Sequence, residues 1–290
     1  MADGTLSFYS FVRRGLATAF TNTDAGSANA AETTITFNVA PGGVASTDTP
    51  NVAQANLSLV GPGDIVGLDP NVVVRVSPKA NDFDAEYIPY ALIEFDQADL
   101  PWRYTPAKEA GDVTSQTDQL RPWFSLVVLP ATEASIQAPT PAQKLPLLTV
   151  SAASLPNPSE AWAFAHTQFS GASLTDQAVK DQITGKPGQF VARLMSPRLL
   201  QPNMQYVACL VPTFQRGALI GAGTAPADTD ALTASWATGA GNVTLPVYYS
   251  WRFGTGSVGS FEQVARLIKS AVLPATLGRR DMDVSAPGLG

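Results

Sequence analysis

Glycine and proline interrupt the whole chain and so limit how far any helix or strand can run. The 290 residues include 23 glycines and 23 prolines, spread from end to end. Proline cannot donate a backbone hydrogen bond and fixes its own φ, whereas glycine tolerates the positive φ of many turns, so both tend to end regular elements. Hydrophobic residues make up 45% of the chain, enough for a substantial core. We therefore expect many short elements joined by many turns.

Most of these elements have the patterns of strands. Residues 34–39 alternate polar and apolar side chains at period two, as a half-buried strand requires. Residues 123–129 are rich in aromatic and branched side chains and predict a buried strand. The other predicted strands are 57–60, 72–76, 90–95, 189–195, 204–211 and 243–253. The proline- and alanine-rich segment 135–146 is predicted to be a surface connection.

A few segments have the signals of helices. Asn157, Pro158 and Glu160 provide an N-cap, a first-turn proline and a first-turn acid. A helix starting there would carry one aromatic face, composed of Trp162, Ala165, His166 and Phe169. Further helices are predicted at 173–183, at 214–220 and, from a capping box, at 260–268.

These elements predict a β-rich α+β fold with mostly antiparallel short strands and a few packed helices. No repeat of fixed period and no long linker divides the chain, which favours a single body over residues 1–290. The alternative is a β-rich part over 1–150 followed by a mixed part over 151–273. Residues 274–290 have no periodicity and are predicted to form an extended tail.

The charge of the chain excludes several classes of function. Only 14% of the residues are charged, against roughly 25% in ordinary soluble domains, and the net charge is -6. An acidic chain with scattered basic residues is not expected to bind nucleic acid. The apolar stretches fall short of the ~20 residues that a membrane-spanning helix needs, so no membrane insertion is expected. A surface with few charges indicates contact with neighbouring proteins.

Two features bear on where the protein is made. Cys209 is the only cysteine, which excludes an internal disulfide and is typical of synthesis in a reducing compartment. The first residues lack the basic and apolar regions of a signal peptide. We expect synthesis and assembly in the cytoplasm, with release outside the cell as part of a particle.

Catalytic motifs are missing from the sequence. It contains no G-x-S-x-G elbow, no phosphate-binding P-loop and no dinucleotide fingerprint. His166 is the only histidine, which excludes a site with several histidine ligands, and Cys209 lies in an apolar segment typical of a buried cysteine. We therefore predict no enzyme, no catalytic residue, no cofactor and no metal.

One acidic cluster leaves alternatives open. Asp82, Asp84 and Glu86 alternate along a potential strand, and Glu94, Asp96 and Asp99 follow soon after. Alternation would place the first three carboxylates on one face, where they could bind a cation such as calcium. A carboxylate pair could also hydrolyse a glycosidic bond. The third interpretation is ordinary solvated or turn-capping carboxylates.

Tryptophans beside arginines and prolines suggest a contact surface. Tryptophan, tyrosine and arginine dominate interface hot spots, and arginine stacks on aromatic rings within a fold as well as between proteins. The candidate interface residues are Trp102, Arg103, Tyr104, Arg121, Trp123, Trp162 and His166.

Several sequence blocks carry a resemblance to a known family. They span most of the chain, from about Ser7 to Pro287, and comprise Leu59–Pro70, Ile93–Asp96, Leu100–Trp102, Leu120–Trp123, Glu160–His166, Ala208–Pro212 and Leu245–Trp251. With these blocks the chain resembles a family of bacterial proteins associated with gene clusters for phage-tail-like extracellular contractile injection systems. The resemblance implies a structural subunit of the particle and supplies no catalytic residue.

The leading hypothesis is accordingly a non-enzymatic assembly subunit of such a particle, at or around its baseplate, as a shell or accessory component. Its expected partners are copies of itself and the baseplate, sheath or tube proteins. Two alternatives use the acidic cluster together with Trp102 and Trp123. One is a carbohydrate-active enzyme, and the other is a module that binds carbohydrate or another surface through stacked tryptophans.

Overall fold

A computed structural model gives the fold. It describes residues 5–15, 32–39, 51–58, 60–85, 88–106, 119–141, 143–171, 174–185, 188–225, 232–239, 241–257, 265–266, 268 and 278. The extended tail predicted over 274–290 and most of the helix predicted over 260–268 lie outside these residues. So do Glu86 and parts of several loops.

The described chain is dominated by antiparallel strands, which confirms the β-rich α+β prediction. One sheet has five strands in the order β1-β9-β10-β5-β4. These are β1 (Leu6–Tyr9), β4 (Val73–Ser77), β5 (Leu92–Phe95), β9 (Ala165–Ser170) and β10 (Phe190–Met195).

Two further sheets have three strands each. The first has the order β13-β11-β6 and consists of β6 (Phe124–Pro130), β11 (Gln205–Pro212) and β13 (Tyr249–Gly254). The second has the order β12-β8-β7 and consists of β7 (Ser135–Gln137), β8 (Leu147–Ser151) and β12 (Asn242–Pro246). A hairpin pairs β2 (Glu32–Val39) with β3 (Asn51–Ser58).

The β13-β11-β6 sheet is the middle one of three layers. One set of its side chains, including Leu126 and Leu210, packs in a cluster with Ile93 and Leu194 of the five-stranded sheet. The alternate set packs in a second cluster with the β12-β8-β7 sheet, and includes Val127, Leu129, Val207, Cys209 and Val211. Because successive side chains of a strand point to opposite faces, β6 is buried along its whole length and β11 along all but its first residue. This explains their nearly continuous apolar sequences.

Two α-helices within the described ranges pack against these sheets. Helix α1 (Asp176–Gly185) packs through Val179 and Ile183 against a third cluster that contains Phe169 and Phe190. Helix α2 (Gln215–Gly221) directly follows β11 and contacts a 3₁₀ helix over Pro62–Asp64. Both correspond to predicted helices.

The prediction of a helix that starts at Asn157 and continues through Phe169 needs correction. Asn157 does cap a helix, since its side-chain oxygen accepts a hydrogen bond from the Ser159 amide at 3.1 Å. The helix is of the 3₁₀ type and ends at Phe164, where the chain enters β9. The residues 165–169 alternate between buried and partly buried positions, so the period is two and the predicted helical face does not form. Pairing with β1 on one side and β10 on the other decides the outcome.

Two smaller predictions also need correction. The segment 243–253 is two strands in different sheets, because the chain leaves β12 at Pro246 and pairs again only from Tyr249. Proline has no N–H to donate to the ladder, which suits the end of a strand. The segment predicted as a plain surface connection contains the short strand β7, which pairs with β8.

Candidate functional site

Two of the three candidate interface tryptophans, Trp102 and Trp123, lie in the core. Trp102 and Trp123 are both 0% exposed. Their indole N–H groups donate to backbone carbonyls, Trp102 to Leu120 at 3.2 Å and Trp123 to Leu100 at 2.6 Å. A buried tryptophan with its N–H satisfied contributes a large apolar area to the core and offers no ring face to a partner. The interface interpretation of these two residues, and the carbohydrate-stacking interpretation that used them, are wrong for this fold.

The arginines next to these tryptophans contact other groups. Arg103 is partly buried, and its Nη2 donates to Oδ1 of Asp99 at 2.6 Å. The guanidinium of Arg121 lies 5.2 Å from the ring centroid of Phe214, which makes the cation–π partner a phenylalanine. Tyr104 packs edge-on against Trp123 at a centroid distance of 5.2 Å. Partial exposure leaves Arg103, Tyr104 and Arg121 available at the surface.

Trp162 and His166 lie in different elements. Trp162 is partly buried in the 3₁₀ helix that ends at Phe164, and His166 is partly buried in β9. His166 is therefore part of a sheet face, where its neighbours come from the adjacent strands.

That sheet face carries the densest polar network of the described residues. The strand register places Arg193 of β10 opposite both Glu94 of β5 and His166 of β9. Arg75 of β4 is opposite Glu94 on the other side. The four side chains form one row across four strands, on the face directed away from the other two sheets, because the inward-facing neighbours Ile93 and Leu194 are in the core.

Glu94 is the centre of the row. Its Oε2 accepts from Nε of Arg75 at 2.9 Å, and its Oε1 accepts from Nη2 of Arg75 at 2.8 Å. Oε1 also accepts from Nε of Arg193 at 2.9 Å and from Nη2 of Arg193 at 2.5 Å. The Glu94 side chain is 7% exposed, against 19% for Arg193 and 61% for Arg75. We call this group, with His166, the Glu94 network.

The arginines keep Glu94 ionised. Burial alone would raise the pKa of this carboxyl, but the hydrogen bonds and positive charges of Arg75 and Arg193 together hold the pKa below its ordinary value. An ionised carboxylate that accepts four N–H contacts has no proton to donate. This geometry therefore does not suit the general acid that the glycosidase hypothesis requires of one carboxyl group.

His166 completes the network at the β9 side. Nη1 of Arg193 lies 3.2 Å from Nε2 of His166. A guanidinium only donates, so we assign Nε2 as the acceptor and place the ring proton on Nδ1. Burial lowers the pKa of His166, the Arg193 charge lowers it further, and Glu94 partly opposes the shift. The imidazole is thus held in its neutral form beside a cation.

The acidic cluster does not form the predicted strand face. Asp82 and Asp84 are exposed in a turn, where Oδ1 of Asp82 accepts from the Asp84 amide at 3.2 Å. Asp96 is exposed, whereas Asp99 is buried between Arg103 and, at 4.0 Å, Arg14. Within the described ranges, no three acidic, histidine or cysteine side chains come together to hold a metal ion.

Cys209 lies in the middle sheet and is completely buried. Burial raises the pKa of its thiol to about 12, and the charge of Arg252 opposes this only in part. Since the thiolate is the reactive form, this cysteine is inert in the folded protein.

The open face also carries exposed apolar residues that sequence reasoning missed. On the edge strand β1, Leu6 is 46% exposed and Phe8 is 62% exposed. Phe8 lies opposite Gln168, and its ring centroid is 5.7 Å from that of His166, so it extends the Glu94 network with an apolar surface. Arg75 and Arg193 were also missed. The signal available for both was a charged residue at the centre of an otherwise apolar strand, which must face outward or be paired.

Among the described residues no helix combines the length and the apolar character needed to cross a membrane. Comparison with known proteins finds no match, since no protein-family model, no curated protein and no solved structure matches this chain significantly.

Proposed function

We propose that the chain is a non-enzymatic assembly subunit of a contractile, phage-tail-like particle, at or around its baseplate. It binds copies of itself and other particle proteins, and it leaves the cell with the particle. The resemblance of its sequence blocks to proteins of such gene clusters supports the assignment to a contractile, phage-tail-like particle. The exposed face of the five-stranded sheet supports a role in binding other subunits.

The observation that carries the proposal is the edge strand β1. Leu6 and Phe8 expose about half or more of their side chains on a strand at the end of the sheet. An edge strand presents unpaired backbone groups, and apolar side chains on it favour pairing with another chain rather than contact with water. Natural monomers protect such edges with lysine, proline or a cover, so this edge is suited to a neighbouring subunit.

The chemistry of the described residues is consistent with a structural role. The buried carboxylates of Glu94 and Asp99 are held by arginines, and the Cys209 thiol is enclosed. The two carboxylates thus take part in ion pairs within the fold, and the thiol is part of the core.

Co-sedimentation with particle components tests the proposal. The wild-type chain should sediment with assembled sheath, tube or baseplate proteins, and Leu6→Lys should reduce the bound fraction, because a charge on an edge strand opposes pairing. The matched control is Val66→Lys, since Val66 is 58% exposed but lies in a loop. Phe8→Ala provides a second test on the same face.

The folded state of each variant is checked by its melting temperature before the binding assay. A wild-type chain that never sediments with any particle component refutes the proposal. Equal binding by Leu6→Lys, Phe8→Ala and Val66→Lys would refute the role of β1.

A further inference from the structure

Arg216, near the start of α2, is a buried cation without an ion-pair partner in the part of the chain that the structure describes. The residue is 4% exposed, and its Nε and Nη1 atoms are enclosed without any hydrogen-bond acceptor. None of the ion pairs among the described residues includes it. Burying a charge without a partner is unfavourable, and buried arginines are normally paired with carboxylates.

Other partly buried arginines of the described chain each have an acceptor: some donate to backbone carbonyls, as Arg198 does to Ser154 at 2.8 Å, and two are held by carboxylates. Arg193 is held by Glu94, and Arg103 is held by Asp99. Among the residues that the structure describes, no carboxylate pairs with Arg216 in this way.

The turn packed over Arg216 holds its side chain in place. A Cβ atom on Gly63 would lie 2.9 Å from both Cγ and Nε of Arg216, so only glycine allows this close approach. The carboxylate one residue further along, Asp64, accepts through Oδ2 from the Gly61 amide at 2.8 Å and forms no ion pair with Arg216. Glycine at this position therefore permits the buried arginine, and the neighbouring acid does not neutralise it.

A second arginine adds positive charge to the same region. Arg121 lies over the ring of Phe214, two residues before Arg216, and donates to the carbonyl of Leu232 at 3.2 Å. Burial lowers the pKa of Arg121, with no carboxylate acting in the other direction. The start of α2 thus has one guanidinium group of its own and a second one, from Arg121, over its N-cap residue Phe214, and no ion pair among the described residues includes either arginine.

We propose that Arg216 is the binding site for an oxyanion, either a carboxylate of a partner protein or a free phosphate. A guanidinium presents donors in a planar fork that fits both groups. Two of its nitrogens, Nε and Nη1, are enclosed and have no acceptor, so they have hydrogen-bonding capacity left for an anion. The site does not depend on the proposed assembly function, because free anions alone can occupy it.

Thermal unfolding of the full chain in chloride buffer, with added sodium phosphate or sodium acetate, tests the proposal. Either anion at about ten times its dissociation constant should raise the wild-type Tm by roughly 2–4 °C. The variant Arg216→Met keeps an unbranched stem as far as the position of Nε and removes the charged guanidinium, so its Tm should not respond in this way. In chloride alone this variant should melt at the same temperature as the wild type or above it, because it removes an unpaired buried charge.

Two further variants separate a specific site from general salt effects. Phosphate stabilises many proteins by exclusion from their surface, and this contribution is common to all variants. Arg193→Met should lower the Tm in chloride, since it leaves Glu94 without one of its arginines, but it should retain the extra response to the anion. Asp64→Asn should also retain that response if the anion comes from outside the chain.

The outcomes distinguish the sources. A response to both anions indicates a general oxyanion site open to protein carboxylates, and a response to phosphate alone indicates a phosphate site. The proposal is overturned if Arg216→Met responds as strongly as the wild type, or if neither anion raises the wild-type Tm. A marked loss of Tm in Arg216→Met in chloride alone would also overturn it, because it would mean that the arginine is already paired.

Discussion

Replacing Glu94 by glutamine should destabilise the protein substantially, because it removes the only negative charge between two arginines. The substitution keeps the shape of the side chain and one carbonyl oxygen. It replaces the other acceptor by an NH2 group, which points its hydrogens at guanidinium donors. The change therefore tests the charge and the acceptors of the Glu94 network rather than the packing of β5.

The expected magnitude follows from the exposure of each partner. The contact with Arg75 involves a side chain that is 61% exposed, and a pair of this kind contributes at most about 1 kcal/mol. The contact with Arg193 is mostly shielded, with side chains 19% and 7% exposed, and charge-assisted bonds of this kind contribute about 1.5–3 kcal/mol. The sum predicts a loss of about 2–4 kcal/mol in the free energy of unfolding.

Urea unfolding followed by tryptophan fluorescence measures this loss, with the buried Trp102 and Trp123 as reporters. The matched control is Asp96→Asn, two residues along the chain, because Asp96 is exposed and takes part in none of the ion pairs among the described residues. The control should change stability by no more than about 0.5 kcal/mol.

The pH dependence provides a second measurement on the same variant. The folded-state pKa of Glu94 is lowered, so its stabilisation is fully present above the unfolded pKa of about 4.3 and is lost as the pH falls through the folded value. The difference in the free energy of unfolding between wild type and Glu94→Gln should therefore become smaller as the pH falls into the acid range. If Glu94→Gln and Asp96→Asn have the same effect at neutral pH, the argument from the network fails.

Three further predictions concern other parts of the fold. The NMR titration of His166 should have its midpoint below the ordinary value of about 6.5, and Glu94→Gln should lower it further by removing the opposing charge; a midpoint above 6.5 would contradict the assigned contact with Arg193. Gly63→Ala should lower the Tm by several degrees, as a Cβ there lies 2.9 Å from Arg216, whereas Gly67→Ala, with open space around its Cβ, should change it little. Cys209 should react with a thiol reagent only at the rate of unfolding, and rapid labelling under native conditions would show that the site is accessible.

Local sequence was sufficient to predict a strand wherever burial of the strand requires a recognisable pattern of apolar residues. The runs 123–129 and 204–211 predicted buried strands correctly, because both faces of β6 and β11 contact apolar neighbours. The same local reasoning failed at 162–169. There, an aromatic spacing compatible with a helix is also compatible with period two, and the choice depends on pairing with β1 and β10, which are distant in the chain.

The Glu94 network could be predicted only in part for the same reason. Glu94 and His166 stood out as individual residues, but Arg75 is 19 positions from Glu94 and Arg193 is 99 positions from it. Nothing in the sequence fixes the register that brings them together. Prolines near Trp102 and Trp123 were misleading in a different way, since they mark turns of the backbone and carry no information on where an indole points.

The low content of charged residues is explained in part by the core of the fold. This weakens the argument that few charges indicate a surface for protein partners, but it does not affect the argument from exposed apolar residues. A middle sheet with apolar neighbours on both faces needs strands without charged residues, and β6 and β11 contain none. Part of the gap between 14% and the usual value of roughly 25% therefore reflects a three-layer core rather than an adhesive surface. The inference of protein partners must then depend on specific exposed residues. Leu6 and Phe8 satisfy that requirement, because they are exposed apolar residues on an edge strand and are not part of the core.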